Sequence, residues 1–575
     1  MNCIADNILS PLGQTTAENY QALQAGRSAL RCYPSYSGRA EDDYIASRFD
    51  DNHRQQLMVN GLTWFESLLY HSIQEALTHA DIDIASQRTI LVVSTTKANI
   101  EHLDSPAYSQ WLPAESAQHV ALRLGITTSP VVVCNACISG LAAIITAERL
   151  LAIGAYDTAI VAGCDVVSHF VVSGFQSLKA LSPAPCRPFD IDRTGLNLGE
   201  AAATIILSVN GNTWQQVRGA IRNDAFHISS PSPQGTGCAS AIQYVMDGIE
   251  TRHLSAINAH GTATLYNDQM EAKALAANGM TEVPVNTLKG YYGHTLGASG
   301  ILETIITMHS VEHGMLFATR GFSETGVSEP LHISGSPMPV GQQSFLKIIS
   351  GFGGCNAALL CQRTALSHSP HFIPPSSFLI SHSVRITPHS VTVDGRSLPV
   401  KTQGCAMLTE IYKQYIGTYP KYYKMDGLCR LGFIASELLL KMETATPNSQ
   451  GETATPNSQQ ERCDYRGVVL FNHSSSTQVD KQYQQTIAVE SEYYPSPSLF
   501  VYTLPNIVCS EIAIRNGYQA ETSFYILARK DEELMERIVL STFEDHSLQS
   551  ILTGWLDYQD DHTFEAELKI VYAKR

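Results

Sequence analysis

The chain has 575 residues, of which 44% are hydrophobic, and a formal charge of -16. It is too long for one ordinary domain and apolar enough to bury a large core, so two or more domains are expected. The acidic balance excludes nucleic acid or an anionic membrane as the main partner, because phosphate binding needs a surplus of Lys and Arg.

Met1 to Gly13 has no basic segment followed by an apolar run and does not read as a signal peptide. No stretch approaches the unbroken apolar length of a membrane helix. The 13 scattered cysteines read as reduced thiols. A cytoplasmic protein without a metal site is expected.

From the start to about residue 365, β-rich runs alternate with helical stretches and Gly-rich turns, the pattern of α/β layers. Val131 to Val133 reads as a buried strand, Leu141 to Ile153 as a buried helix stopped by Gly154, and Thr158 to Ala162 as the next strand. Residues 366–377, rich in Ser, His and Pro, read as a linker. A second domain, 378–575, opens with alternation from Phe378 to Val393 and a turn at Asp394-Gly395. Within it ETATPNSQ occurs twice, and the polar segment 443–460 is expected to be a disordered loop. Ser498 to Tyr502 and Ser523 to Leu527 read as strands that need a partner surface.

One long-range repeat is more informative. His119 to Gly125 (HVALRLG) matches Glu511 to Gly517 (EIAIRNG), 392 positions on (119 against 511). The same spacing sets Asp557 against Asp165 and Arg529 against Cys137. The second domain is therefore expected to copy the N-terminal half of the first. Its counterpart of Cys137 is an arginine, which stays protonated and cannot serve as a nucleophile.

Cys137 lies in VVVCNACISG, where a strand ends, small and polar residues turn the chain, and a helix begins. That position sets the thiol at the positive end of a helix dipole, beside unpaired backbone N–H groups that favour a thiolate. His260 lies in NAHGTAT, after a strand-like segment, and His294 in KGYYGHTLGASG, before a helix opened by small residues. A cysteine and two histidines in Gly-rich strand-to-helix turns form a candidate nucleophilic site.

NACISG, NAHGTAT followed by Asn267, Asp268 and Glu271, LKGYYGHTLGASG and SGFGGCN together resemble the successive signatures of the β-ketoacyl-acyl-carrier-protein synthases. SPLG, GRSAL and CRPFDIDRTGLNLGEAA add weaker matches, and the resemblance spans about residues 4 to 363. It implies a thiolase-like fold for residues 1–365, two similar α/β halves layered α-β-α-β-α, followed by an additional half domain. It implies an acyltransferase that joins a Cys137-bound acyl group to malonyl-carrier by decarboxylative Claisen condensation. Such enzymes serve fatty acid, polyene or polyketide biosynthesis.

By the same resemblance His260 and His294 stabilise the enolate, while Lys289 and Glu303 support His294. The N–H groups of Cys137 and Phe352 form the oxyanion hole, and Phe352 gates the extender unit. Ile138, Thr262, Thr264 and Gly353 belong to the substrate pocket. No cofactor is held permanently, since both acyl groups arrive on the phosphopantetheine of an acyl carrier protein. The other implied partner is a second ketosynthase-like subunit, in a homodimer or heterodimer. Cys355 stands where the family usually has Thr, and Ile138 where it has a small residue.

A thiolase would use a second catalytic cysteine, but the segment before Gly353 offers Ser350, Gly351 and Phe352. A non-elongating chain-length partner would lack Cys137. The second domain fits that description, and its runs YYKMDGLCRLGFIASELLL and YPSPSLFVYTLPNIVCSEIAIRNG resemble truncated ketosynthase-like segments of polyene and pigment pathways.

Overall fold

The structure, a computed structural model, describes residues 1–39, 42–211, 214–341, 344–363, 377–445, 463–489, 491 and 493–574. The expected linker, apart from Ser377, and residues 446–460 of the expected loop lie outside the described residues.

Three five-stranded sheets share one strand order. The first joins β1 (Asn2–Leu9), β2 (Thr89–Ser94), β3 (Val131–Val133), β4 (Thr158–Asp165) and β5 (Ala201–Ser208) in the order β3-β2-β4-β5-β1. β2 runs parallel to β3 and β4, and β5 is antiparallel to its neighbours. The second contains β6 (Gln215–Asn223), β7 (Ala256–Asn258), β8 (Ser344–Gly351) and β9 (Cys355–Gln362). With the short strand Val285–Asn286 its order is Val285–Asn286, β7, β8, β9, β6, in the same directions. The third comprises β10 (Phe378–Thr387), β11 (Arg466–Asn472), β12 (Thr522–Ile526), β13 (Ser550–Asp560) and β14 (Thr563–Ala573), ordered β12-β11-β13-β14-β10.

The helices of the first part include α1 (Trp64–Leu77), α2 (Pro113–Leu124), α3 (Ser139–Ala152), α4 (His169–Ser177), α5 (Leu265–Ala277) and α6 (Ser299–Glu312). α3 and α6 form the central layer, almost wholly buried. They meet backbone to backbone: a Cβ on Gly140 would lie 2.7 Å from the Gly297 oxygen, and one on Gly300 only 2.3 Å from the Leu141 nitrogen. Glycine there lets the turns before the two helices approach.

After β10, a tight turn at Asp394 (φ 49°) and Gly395 (φ 74°) joins Ser390–Val393 to Arg396–Ser397. The remaining helices include α7 (Gly427–Ala445), α8 (Pro497–Tyr502), α9 (Ile507–Asn516) and α10 (Glu532–Thr542). Residues 498–502 are thus helical, contrary to the strand expected from their composition. Ser496 caps the helix by accepting from the Leu499 N–H, and Pro497, lacking an N–H, suits its first position. Residues 443–445 finish α7 rather than opening a loop.

The 392-residue correspondence recurs in the fold. α2 and α9 both end on a left-handed glycine, Gly125 (φ 86°) and Gly517 (φ 67°). Asp165 at the end of β4 accepts hydrogen bonds from the N–H and hydroxyl of Thr96, and Asp557 on β13 does the same for Ser474.

The edge of β3 pairs antiparallel with β12, Val133 opposite Tyr525, so the first and third sheets become one continuous sheet. Three buried ion pairs cross this junction: Lys97–Asp480 at 2.8 Å, Arg149–Glu521 at 2.7 Å, and Arg222–Asp545. In each the cation belongs to the first part and the carboxylate to the second.

The sheet of the second part is built to do without a further layer. β5 is buried along its whole length, whereas β14 alternates buried Phe564, Ala566 and Leu568 with half-exposed Glu565, Glu567 and Lys569. Arg385 and Lys530 pair with Glu565 and Glu567 on that polar face. Charged side chains with long aliphatic stems let water cover it.

Candidate active site

Cys137 sits in a 3-10 turn, Ala136–Ile138, between β3 and α3, and Ala136 before it has φ 49°. His260 follows β7, and His294 precedes the 3-10 turn Leu296–Ala298 that leads into α6. Ala263 (φ 62°) and Leu296 (φ 49°) repeat the left-handed strain near each histidine. Such backbone costs about 1–3 kcal/mol per residue and persists only where packing imposes it.

The three side chains converge: a ring nitrogen of each histidine and the Cys137 sulfur all lie within 4.8 Å of one another. The imidazoles meet at His260 Nε2 and His294 Nε2, 3.4 Å apart. Their tautomers follow from the backbone. The Ser350 N–H points to His260 Nδ1 (3.4 Å) and the Leu296 N–H to His294 Nδ1 (3.3 Å), so both Nδ1 atoms accept and both Nε2 atoms carry the proton. Two N–H donors therefore stand side by side next to the thiol, an arrangement suited to an oxyanion. A metal would need lone pairs at those same nitrogens.

Electrostatics agree with donor roles. Burial drives both imidazoles well below their ordinary pKa, reinforced by the Lys289 charge, and keeps them neutral. Burial pushes the Cys137 thiol up to about 12, against the Lys289 charge and the N–H groups of Cys137 and Phe352, which favour the thiolate. The thiol is thus buried and held protonated in the free protein, although the N–H groups of its turn do favour the thiolate as expected. Desolvation outweighs the helix end here. Cys134 stands at Cys-x-x-Cys spacing, but its thiol turns into the core, 3.7 Å from the Thr96 carbonyl.

Behind the histidines lies a buried charge cluster. Glu303 pairs with Lys289 and, at 2.6 Å, with Lys347. Burial would raise the Glu303 carboxyl, but the two lysines hold it below its usual range. Lys289 also donates to Ser299 Oγ at 3.0 Å, and its charge, with that of Lys347, acts on His294. Lys347 was missed in the sequence. It donates to Asn258 Oδ1 at 2.7 Å and faces the Ala259 carbonyl, so it ties β8 to the turn carrying His260. Its signal is one cationic residue within the apolar run of a strand buried on both faces. Glu271, quoted above only as part of a motif, accepts the N–H groups of His260 (2.7 Å) and Gly261 (2.8 Å).

A cavity of about 460 Å³ opens onto this centre, lined by Cys137, His260, His294, Thr262, Thr264 and Phe352 among others. Exposed Leu265 and Tyr266, with Lys179, stand at its mouth. Beyond Cys137 lies a second space of about 20 Å³, lined by Phe175, Leu296 and Phe352 and closed by Phe500 and Leu504 of the C-terminal part. Ile138 does not line either cavity. It is buried in the core beneath the gate loop, its Cγ2 3.4 Å from where a Gly351 Cβ would sit. Gly353 faces Ser510 and Asn506 of the C-terminal part. Arg529 is exposed and far in the fold from Cys137, at the turn before α10.

Comparison with known proteins agrees with this geometry. The family description "Beta-ketoacyl synthase, N-terminal domain" matches residues 3–210, and "Beta-ketoacyl synthase, C-terminal domain" matches 216–323. A 3-oxoacyl-[acyl-carrier-protein] synthase 2 of Vibrio cholerae is 31% identical over 408 residues, covering 62% of this chain and 97% of that protein. The tetracenomycin polyketide synthase ketoacyl synthase alpha subunit of Streptomyces glaucescens is 28% identical over 405 residues, 62% of this chain and 95% of the other. Among solved structures, a PfaC keto synthase–chain length factor superposes with a TM-score of 0.75 at 14% identity, over 100% of this chain and 78% of that one. The thiolase-like ketosynthase fold thus extends across the C-terminal part. No helix among the described residues is long and apolar enough to cross a membrane.

Proposed function

We propose, for a chain that belongs to the β-ketoacyl synthase family, that Cys137 accepts an acyl group and passes it to a decarboxylating malonyl unit. The observation that carries this reading is the convergence of the two imidazoles, their Nε2 atoms 3.4 Å apart, on the Cys137 thiol, all three side chains lying within 4.8 Å of one another. The Cys137 sulfur attacks a carrier-borne thioester and its proton passes to the pantetheine sulfur, which leaves as a thiol, while the N–H groups of Cys137 and Phe352 hold the oxyanion of the tetrahedral intermediate. Malonyl-carrier then binds with its thioester carbonyl on the two Nε2–H groups. As the carbon–carbon bond to the carboxylate breaks, its electron pair becomes an enolate held by the same donors, and carbon dioxide leaves. The enolate carbon attacks the acyl-cysteine, the carbon–sulfur bond breaks, and the departing Cys137 thiolate takes a proton from water, which restores the thiol with a 3-ketoacyl-carrier as product.

Thr262 and Thr264, whose hydroxyls lie 2.9 Å apart, are suited to the amides of the phosphopantetheine arm. Lys179 at the mouth supplies a positive charge toward an acidic carrier protein. Residues 378–575 act as a degenerate half that has lost its nucleophile and serves assembly and pocket shape. Two observations support this: β12 occupies the free edge of β3, and Phe500 closes the space beyond Cys137. That space holds about one or two waters in this state, so a growing chain must displace aromatic side chains. Because the chain fills its own β3 edge, it needs no second ketosynthase there, and any dimer uses another surface. The reaction belongs to fatty acid, aryl polyene or polyketide-type biosynthesis in the cytoplasm.

The test is the intact mass of the protein after incubation with a panel of acyl-carriers. One acyl group should load on Cys137, and none on Cys137→Ala. Loading of the Ala variant at a comparable rate overturns the assignment.

A further inference from the structure

The loop between β8 and β9 carries Phe352, read above as the gate, and the C-terminal part holds that loop directly. The Phe352 ring stacks on Phe175, with centroids 6.1 Å apart, and Phe175 meets Phe500 edge-on at 5.5 Å. The peptide joining Phe352 to Gly353 is clamped at both ends. Its N–H, on Gly353, donates to the Ile228 carbonyl at 2.7 Å. Its carbonyl, on Phe352, accepts from Asn506 Nδ2 at 3.1 Å. Asn506 lies in the C-terminal part, at the start of α9, and is fully buried.

Gly353 (φ 91°) and Gly354 (φ 67°) make this peptide the natural hinge, since two left-handed glycines turn with little steric resistance. A Cβ on Gly353 would come within 2.3 Å of Ser510 Oγ and 2.9 Å of Asn506 Nδ2, so α9 packs straight onto the hinge. Swinging Phe352 away from Cys137 rotates this peptide plane and breaks the bond from Asn506. The other end of that amide, Asn506 Oδ1, is buried with no hydrogen-bond partner among the described residues. A buried amide satisfied at one end only is costly for a side chain with a purely packing role.

We propose that Asn506 is a latch on the gate: a positioning residue through which the non-catalytic C-terminal part holds Phe352 closed until Cys137 is acylated. It rests on the reading of Phe352 as the gate. The C-terminal part then takes part in the order of substrate admission without touching substrate. Loosening the latch admits malonyl-carrier early, so carbon dioxide is lost without condensation.

The experiment uses the full chain and two rates: acylation of Cys137 by an acyl-carrier, followed by intact mass, and release of carbon dioxide from malonyl-carrier without any acyl donor. In Asn506→Ala and in the near-isosteric Asn506→Leu, neither of which has a donor, donor-independent decarboxylation should rise about five- to tenfold, the worth of one hydrogen bond. Acylation should stay within about twofold. Ser510→Ala, which relaxes packing on Gly353 but leaves the Asn506 bond, should match the parent protein. Phe352→Ala separates the two ideas. If it raises donor-independent decarboxylation and neither Asn506 variant does, the latch is refuted and the gate stands. If Phe352→Ala changes nothing, the gate reading fails and the latch with it. A proportional fall of both rates in the Asn506 variants, with a lowered urea midpoint, also overturns the latch and makes Asn506 merely structural.

Discussion

Glu521→Gln tests how the two parts are held together. Glu521 is fully buried, accepts from Arg149 at 2.7 Å across the junction, and takes a second bond from Ser523 at 2.8 Å. The amide keeps the shape and a hydrogen bond but removes the charge, leaving the buried Arg149 guanidinium with only the weaker influence of Asp545, itself paired with Arg222. Charges about 4 Å apart at an effective dielectric of 20 interact by about 4 kcal/mol, and breaking one partner of a buried pair costs about 3–5 kcal/mol. With a urea m-value on the order of 4 kcal/mol per M for a chain of this size, the midpoint should fall by about 1 M. The nucleophile segment rests on the same junction, since the Cys134 N–H donates to the Phe524 carbonyl and the Phe524 N–H to Asn135 Oδ1. Cys137 acylation should therefore weaken at urea concentrations the parent tolerates. The double variant Arg149→Met with Glu521→Leu removes both charges and should recover most of the loss, giving a coupling above about 2 kcal/mol in the mutant cycle. A midpoint shift below about 0.2 M for Glu521→Gln, or additive single effects, would refute the claim that buried charge pairing fastens the junction.

Alkylation of Cys137 by iodoacetamide in the free protein should speed up about tenfold per pH unit from pH 7 to 9 without levelling, because burial places the thiol near 12 and only the thiolate reacts; a plateau near pH 7 contradicts the buried, protonated thiol. His260→Ala and His294→Ala should abolish malonyl decarboxylation yet keep part of Cys137 acylation, and equal loss of both half-reactions disproves the division of roles. As both imidazoles are held neutral by burial, decarboxylation should not fall between pH 7 and 6 through their protonation, which a rate profile of that half-reaction checks. Phe500→Ala should open the space beyond Cys137 and lengthen the product by at least one two-carbon unit, whereas Arg529→Ala, on the surface, should leave condensation within about twofold; product mass and rate decide both.

Sequence alone singled out Cys137, His260 and His294, because each lies in a run of small residues and turns whose local order is written in consecutive positions, and the fold brings the three side chains within 4.8 Å of one another. It also exposed the duplication, since a helix closed by a left-handed glycine needs the same residue at the same place in Gly125 and Gly517. What it could not show are contacts between distant segments. Lys347 reads as an isolated charge in an apolar strand until Glu303 and Asn258 surround it. Residues 498–502 read as a strand because apolar composition carries no period over so short a run, and the helix was decided by Ser496 and Pro497 at its start. The turn alone shows N–H groups that favour a thiolate, whereas the thiol's protonation is decided by desolvation, which depends on everything packed around it. The pairing of β3 with β12, the three ion pairs and the Asn506 bond to the gate join positions some 150 to 400 residues apart, and only the folded chain brings such residues together.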